Sequence, residues 1–204
     1  MNANRPYIVG LTGGIGCGKS EAAAYLETLG AVHIDADAIS RELTQSDDET
    51  LRLIREQFGD EVFAADGTLD RAKLAGVVFN SEPHRRALEK IMHPRVQSHV
   101  WSQIESAGEN GAKVVVLDVP LLFETGMDVL CNETWTVTAG PETQLARVTA
   151  RGLTVEQAQA RIRSQMDSED RMKRSTRVID TDRSVERTRS ELNSLYQQVL
   201  KKAD

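Results

Sequence analysis

Apolar positions along this chain fall into two alternating rhythms. Short, mostly apolar runs predict five strands: Tyr7-Ile8-Val9-Gly10-Leu11, Ala31 to Ile34, Ala112 to Leu117, Glu133 to Thr138, and Arg177 to Asp180. The Val114 to Leu117 run is continuously apolar, as suits a parallel strand buried on both faces. Stretches with helical spacing lie between. Glu21 to Leu29 is a run of good helix formers that Gly30 ends. Thr154 and Gln157 form a capping box ahead of an apolar face of Val155, Ala158, Ile162 and Met166. Ser184 caps a last helix whose stripe is Val185, Thr188, Leu192, Leu195 and Val199. This alternation predicts an α/β fold, a parallel sheet flanked by helices in three layers.

The spacing is uneven. About 75 residues separate the second strand from the third, far more than one crossover helix needs. Several helices are expected there, one from near Asp70 and another at Ser81-Glu82-Pro83, with Ser81 as N-cap and Leu88, Ile91 and Met92 on one face. A third is expected after His93-Pro94. An insertion at the carboxyl edge of a sheet is placed to cover a second substrate, with structural bulk as the alternative. A further helical stretch follows Gly140-Pro141, carries Arg147 and Arg151 at i, i+4 so that both point the same way, and is interrupted by Gly152. From Arg147 to Arg177 there are seven arginines and one lysine. Such a run is ordinarily a solvated face, yet an arginine-rich helix–glycine–helix unit is also what a lid closing on phosphate requires. The expected organisation is a core at about 5–37, 112–146 and 176–204, a helical insertion at about 38–111 and a lid at about 147–175.

Candidate chemistry concentrates where the first strand ends. Gly13-Gly14-Ile15-Gly16-Cys17-Gly18-Lys19-Ser20 fits G-x-x-x-x-G-K-[ST] between a strand and a helix. Glycines let such a loop curl so that successive N–H groups face a phosphate, and the helix start adds its positive dipole end. Lys19 then reaches the β- and γ-phosphates, and the Ser20 hydroxyl can ligate Mg²⁺. The expected nucleotide-binding set is Gly14, Ile15, Gly16, Cys17, Gly18, Lys19, Ser20 and Glu21. Asp35-Ala36-Asp37 stands at the carboxyl end of the second strand, where alternation in an extended chain would send both carboxylates to one side. Asp37 is read as the base accepting a hydroxyl proton, and Asp35 as structural or metal-supporting; a helix cap is the alternative for one of them. Asp118, ending the apolar third strand, has the position of an acid that holds Mg²⁺ through water, with a structural turn as the alternative.

Composition narrows the classes. The chain has 204 residues, 40% of them hydrophobic and 27% charged, which suits a globular chain with one well-buried α/β core. A formal charge of −6 argues against non-specific nucleic-acid binding. No apolar run is long enough for a membrane span, and Met1 to Pro6 lacks a signal-peptide core. Cys17 and Cys131 give no disulfide framework, and four scattered histidines give no zinc pattern. A cytoplasmic location and a monomer or weak oligomer are expected, with no nucleic-acid or membrane partner.

Four blocks in order, Gly10 to Ser20 with Ile34 to Asp37, Leu88-Glu89-Lys90-Ile91-Met92-His93-Pro94-Arg95-Val96, Asp118-Val119-Pro120-Leu121-Leu122-Phe123-Glu124, and Arg161 to Met166, resemble the dephospho-coenzyme A kinase family. The resemblance implies a phosphate-loop kinase of the nucleoside-monophosphate-kinase type, with core, acceptor-binding helices and lid. It implies ATP as donor, dephospho-coenzyme A as acceptor, Asp37 as base, Lys19 and Ser20 on phosphate and Mg²⁺, and a lid arginine such as Arg151. His93, Leu121, Leu122, Phe123 and Arg147 are then expected on the substrates. Three positions depart from the family's usual pattern. Cys17 replaces a common Ser. Glu21 replaces Thr, which suggests that its side chain points outward. Val178 to Asp182, which frames the adenine by this resemblance, lacks the Asn-rich end. The His-Pro block speaks against another small-molecule kinase, and no guanine-reading N-K-x-D occurs to support a nucleotide switch.

Overall fold

A computed structural model describes residues 5–79 and 81–203. Residues 1–4, Asn80 and Asp204 lie outside the described residues, and with them most of the expected lead into the first strand and the last position of the expected core. All five expected strands form: β1 (Tyr7–Gly13), β2 (Val32–Asp35), β3 (Val114–Asp118), β4 (Glu133–Thr138) and β5 (Arg177–Asp180). They make one parallel sheet in the order β2-β3-β1-β4-β5. Asp118 is in register with Leu11 on one side and with Asp35 on the other. The carboxyl ends of β1, β2 and β3 therefore share one edge, and all the candidate chemistry of the core gathers there.

Strand alternation divides the core. Val9, Leu11, Val114 and Val116 face a cluster completed by Ala22, Ala23 and Leu26 of α1 (Lys19–Thr28) and by Leu192, Tyr196 and Val199 of α9 (Val185–Ala203). On the opposite face, a Cβ at Gly10 would stand 2.6 Å from Cys131 Sγ and 3.0 Å from Leu122, so only glycine admits this close packing. Of the stripe expected on α9, Leu192 and Val199 are buried and Leu195 packs against the core, while Val185 is exposed and Tyr196 takes a core place. At the amino end of the sheet, buried Trp135 donates its indole N–H to Glu133 (3.0 Å), which also binds Tyr7 (3.2 Å) and Lys202. A buried indole left without an acceptor would cost the fold, and Glu133 removes that cost.

The chain packs as two compact units, one through Asp35 and from Ile104 onward, the other Ala36–Gln103. The second unit overlaps the stretch read as a helical insertion at about 38–111. Its elements are α2 (Ala36–Ser46), α3 (Asp48–Phe58), a 3₁₀ turn (Asp60–Val62), α4 (Arg71–Phe79) and most of α5 (Glu82–Glu109). Helix α3 was not foreseen. The expectation of a new helix after His93-Pro94 is corrected: α5 runs unbroken through Pro94. Proline removes one helical N–H, and the long helix tolerates that single loss.

Arg95 of the His-Pro-Arg block has a structural role. Asp47 caps α3 by accepting from the Thr50 N–H (2.9 Å), and Arg95 of α5 reaches both Asp47 (2.8 Å) and the Thr50 hydroxyl (2.6 Å). Thr50 and then Arg95 hold the Asp47 carboxyl down at about 2, against burial, which opposes the charge. Asp47→Ala should cost about 1 kcal/mol, the usual scale for a lost N-cap, measured by chemical denaturation. The sign of the pH effect follows from the lowered value. The stabilisation is complete above the ordinary 3.8 and disappears as pH falls toward about 2. A wild-type-minus-variant difference that stays constant across that window would contradict the assignment.

Candidate active site

The loop after β1 is held from its carbonyl side. Gln144 of α6 (Pro141–Thr149) donates to Ile15 O (2.7 Å), Arg147 of the same helix to Gly16 O (3.3 Å), and Thr181 to Cys17 O (2.9 Å). Gly14 O accepts from Cys17 N (3.1 Å). Gly16 and Gly18 adopt left-handed φ values of 79° and 85°, and a Cβ at Gly13 would lie 2.6 Å from Val137 O. Glycine is required at all three. With its carbonyls turned outward, the loop leaves the N–H groups of Gly16, Gly18, Lys19 and Ser20 without an intramolecular acceptor among the described residues. Clustered amides at the start of α1 form a concave anion site.

Charge at the sheet edge is tightly paired. Lys19 bonds Asp118, and the buried Nε2 of His33 faces the other carboxylate oxygen at 3.4 Å. Burial works against the Asp118 charge, but His33 and Lys19 more than offset it, so its carboxyl titrates below the ordinary value. Asp118 in turn raises His33 above its ordinary value, against burial. Ser20 and Glu21 are exposed on the first turn of α1. A cavity of about 550 Å³ opens beside the loop, lined by Gly18, Glu21, Tyr25, Arg147, Thr181 and Arg189 among others.

The arginine-rich segment departs from expectation in detail. Helix α6 ends at Thr149, so Arg147 and Arg151 do not share a helical face. Arg147 is anchored, with bonds to the hydroxyl and carbonyl oxygens of Thr181 (both 2.8 Å), and lies in the last turn of α6. Arg151 is exposed beside Gly152, whose φ is 92°. Helix α7 (Val155–Arg163) has the expected capping box, but Met166 lies beyond its end and Val155 is 46% exposed. A short α8 (Ser168–Arg174), capped by Asp167, was not foreseen.

The two aspartates after β2 are not an extended pair. Asp35 ends the strand and Asp37 is already in the first turn of α2, so strand alternation does not apply to them. Leu122 (0% exposed) and Phe123 (5%) are core residues, Phe123 beneath the Arg174 guanidinium at 4.5 Å, which leaves Leu121 as the exposed member of its trio. His93 is half-buried in the middle of α5. It does not line the groove of about 600 Å³ in the second unit, which runs between Leu53 and Gln57 of α3 and Arg86, Lys90, Pro94 and Arg95 of α5. Three supports were missed in the sequence: His33, Gln144 and Thr181. Each acts on a partner more than 80 positions away, and no local pattern announces that.

The chain matches a family model described as dephospho-CoA kinase over residues 7–187. It is 44% identical to a dephospho-CoA kinase of Symbiobacterium thermophilum, covering 93% of this chain and 80% of that protein. It is 39% identical to one of Moorella thermoacetica, covering 95% and 92%. Among solved structures it resembles dephospho-CoA kinase from Campylobacter jejuni (26% identity, TM-score 0.72, 97% and 98% covered). A shikimate kinase from Bacteroides thetaiotaomicron, at 16% identity and TM-score 0.52 with 95% and 98% covered, shares the fold.

The cysteine within the loop has a chemical consequence. Burial raises the thiol pKa of Cys17, and burial with the nearby Asp128 charge pushes Cys131 up to about 12. Only thiolates react with alkylating agents. Neither residue should be carboxamidomethylated by iodoacetamide at pH 8 in the native protein, and both should be after denaturation. Rapid native labelling of Cys17, read by mass spectrometry, would mean that the loop is open.

Proposed function

Because the chain belongs to the dephospho-CoA kinase family, we propose that it transfers the γ-phosphoryl group of ATP to the ribose 3′-hydroxyl of dephospho-coenzyme A, the final step of coenzyme A synthesis. The observation that carries the reading is the set of N–H groups at Gly16, Gly18, Lys19 and Ser20 that have no acceptor among the described residues, next to a cavity that Gly18, Arg147 and Thr181 share. Those amides take the β-phosphate, and the adenosine extends into the cavity beside Arg147. Lys19 exchanges Asp118 for phosphate oxygens when the donor binds. That puts its charge where negative charge grows in the transition state.

Mg²⁺ fits the donor set. Ser20 and Asp118 are hard oxygen donors at one sheet edge. Among the described residues no cluster of three or more His, Cys, Asp or Glu would hold a metal alone, and Mg²⁺ is characteristically completed by substrate phosphates and water. When bound it neutralises charge on the β- and γ-oxygens. Ser20 contributes its hydroxyl and Asp118 acts through water, with His33 keeping that carboxylate ionised. Arg151, exposed at the start of the α7 segment, meets the transferring group, and Leu121 and His93 contribute to acceptor binding. Free thiols at Cys17 and Cys131 support a reducing cytoplasm as the working compartment.

Asp37 accepts the 3′-hydroxyl proton. The support is positional: the chain leaves β2 at Asp35, the register neighbour of Asp118, and Asp37 follows two residues later. The experiment is to supply Mg-ATP with a panel of hydroxyl acceptors and follow ADP release. Dephospho-coenzyme A should be strongly preferred, and Asp37→Asn should lower kcat by roughly 10²–10⁴-fold, the scale of a lost general base, while ATP still binds. Preference for a nucleoside or shikimate-like acceptor would overturn the substrate assignment. Normal kcat in Asp37→Asn with loss in Asp35→Asn would move the base to the other carboxylate.

A further inference from the structure

One side chain in the Arg161 to Met166 block has no part in the reaction as described, yet it touches the phosphate loop directly. Gln165 follows α7, is half-buried, and its Oε1 accepts the Ile15 N–H at 2.8 Å. A backbone donor at this distance fixes the amide with its oxygen toward the loop. The same residue's carbonyl is held by Gln144 Nε2 at 2.7 Å. Ile15 is thus gripped on both sides of its backbone by two carboxamides from different segments. Gly14 lies against both: a Cβ there would stand 2.8 Å from Gln144 Nε2, so that this amide would have to shift, and 3.4 Å from Gln165 Oε1.

The two grips differ in what they connect. Gln144 belongs to α6, which Arg147 also fastens to the loop and to Thr181. Gln165 belongs to the stretch between α7 and α8, and its bond to Ile15 is the one hydrogen bond from residues 153–174 to the loop among the described residues. That stretch carries Arg161, Arg163, Arg171 and Arg174. We propose that Gln165 is a positioning residue for phosphoryl transfer, which sets the register of the arginine-bearing α7–α8 segment against the phosphate loop by holding the Ile15 amide. The proposal rests on the kinase reading above and deepens it. It also assigns the Ile15 N–H to the protein and leaves phosphate binding to the amides from Gly16 onward.

The physical effect follows from loop composition. Gly13, Gly14, Gly16 and Gly18 make the loop cheap to deform, so pins on Ile15 raise the fraction of loops competent to bind. Loss of either pin should weaken ATP binding. Loss of Gln165 alone should also misplace the arginines, and misplacement of reacting geometry lowers kcat.

The test uses the full chain, with steady-state kinetics and amide hydrogen exchange at Ile15. In Gln165→Leu, Ile15 exchange should accelerate, and kcat should fall about 10- to 100-fold, the scale of a small misplacement, with the KM for ATP rising as well. In Gln144→Leu the effect should appear mainly in the KM for ATP. Gln165→Glu keeps an acceptor for the amide, so Ile15 should stay protected; it serves as the second variant if the leucine chain folds poorly. The proposal is overturned by an Ile15 amide that stays protected in Gln165→Leu, or by kcat falling equally in both leucine variants. A wild-type chain that transfers no phosphate to dephospho-coenzyme A would sink the kinase reading instead, and Ile15 exchange would still decide whether the grip exists.

Discussion

Every functional feature of the core depends on one constraint: a loop can present its N–H groups to an anion only if its carbonyl groups are satisfied elsewhere. Here the carbonyls of Ile15, Gly16 and Cys17 are taken by Gln144, Arg147 and Thr181. These come from α6 and from the residue after β5, which lie on the far side of β4 in sequence but pack against the loop in space. The glycines supply the backbone freedom and these side chains remove it again. A hydrogen bond to each carbonyl satisfies a group that would otherwise turn inward and repel phosphate. The paired charges at the same edge follow a similar logic. Lys19 and His33 keep buried Asp118 ionised, so the edge holds a cation and a carboxylate in readiness without leaving either unpaired.

This arrangement explains the two departures within the loop. Cys17 acts through its backbone, accepting from Thr181 while its thiol is buried, so exchanging sulfur for a hydroxyl leaves the phosphate side untouched. Glu21 would repel an anion if it faced the loop, but it is exposed and borders the neighbouring cavity with Arg147 and Arg189. Thr181 and Asp182, in the segment that the resemblance gave to the adenine, also hold the loop's surroundings. Thr181 ties the loop to Arg147, and Asp182 accepts from Gly140 N at the head of α6 (2.6 Å).

What could be read from the sequence was local. All five strands, the phosphate loop, the Thr154 capping box and the Ser184 cap come from patterns within a few residues, and each stands as expected. Failures occurred where a local signal had two meanings. His93-Pro94 has the form of a helix start, but α5 already had the length to carry a proline through. Asp35 and Asp37 alternate only if the chain stays extended, and it coils at Ala36. Leu121 to Phe123 are equally apolar, and only packing, of Leu122 against Gly10 of β1 and of Phe123 beneath Arg174, separates the exposed residue from the buried two. The supports on the loop were invisible for a different reason: Gln144, Gln165 and Thr181 are ordinary polar residues whose meaning lies entirely in which distant carbonyl or amide they meet.

Individual backbone amides carry the function of the loop, and amide proton shifts report them. Titrating the ¹⁵N-labelled chain with Mg-ATP should move the amide protons of Gly16, Gly18, Lys19 and Ser20 strongly downfield, as bonds to anionic oxygen do, while the Ile15 amide, already bonded to Gln165, moves little. Unmoved amides from Gly16 to Ser20, or a largest shift at Ile15, would contradict the way this loop is held and what it is held for.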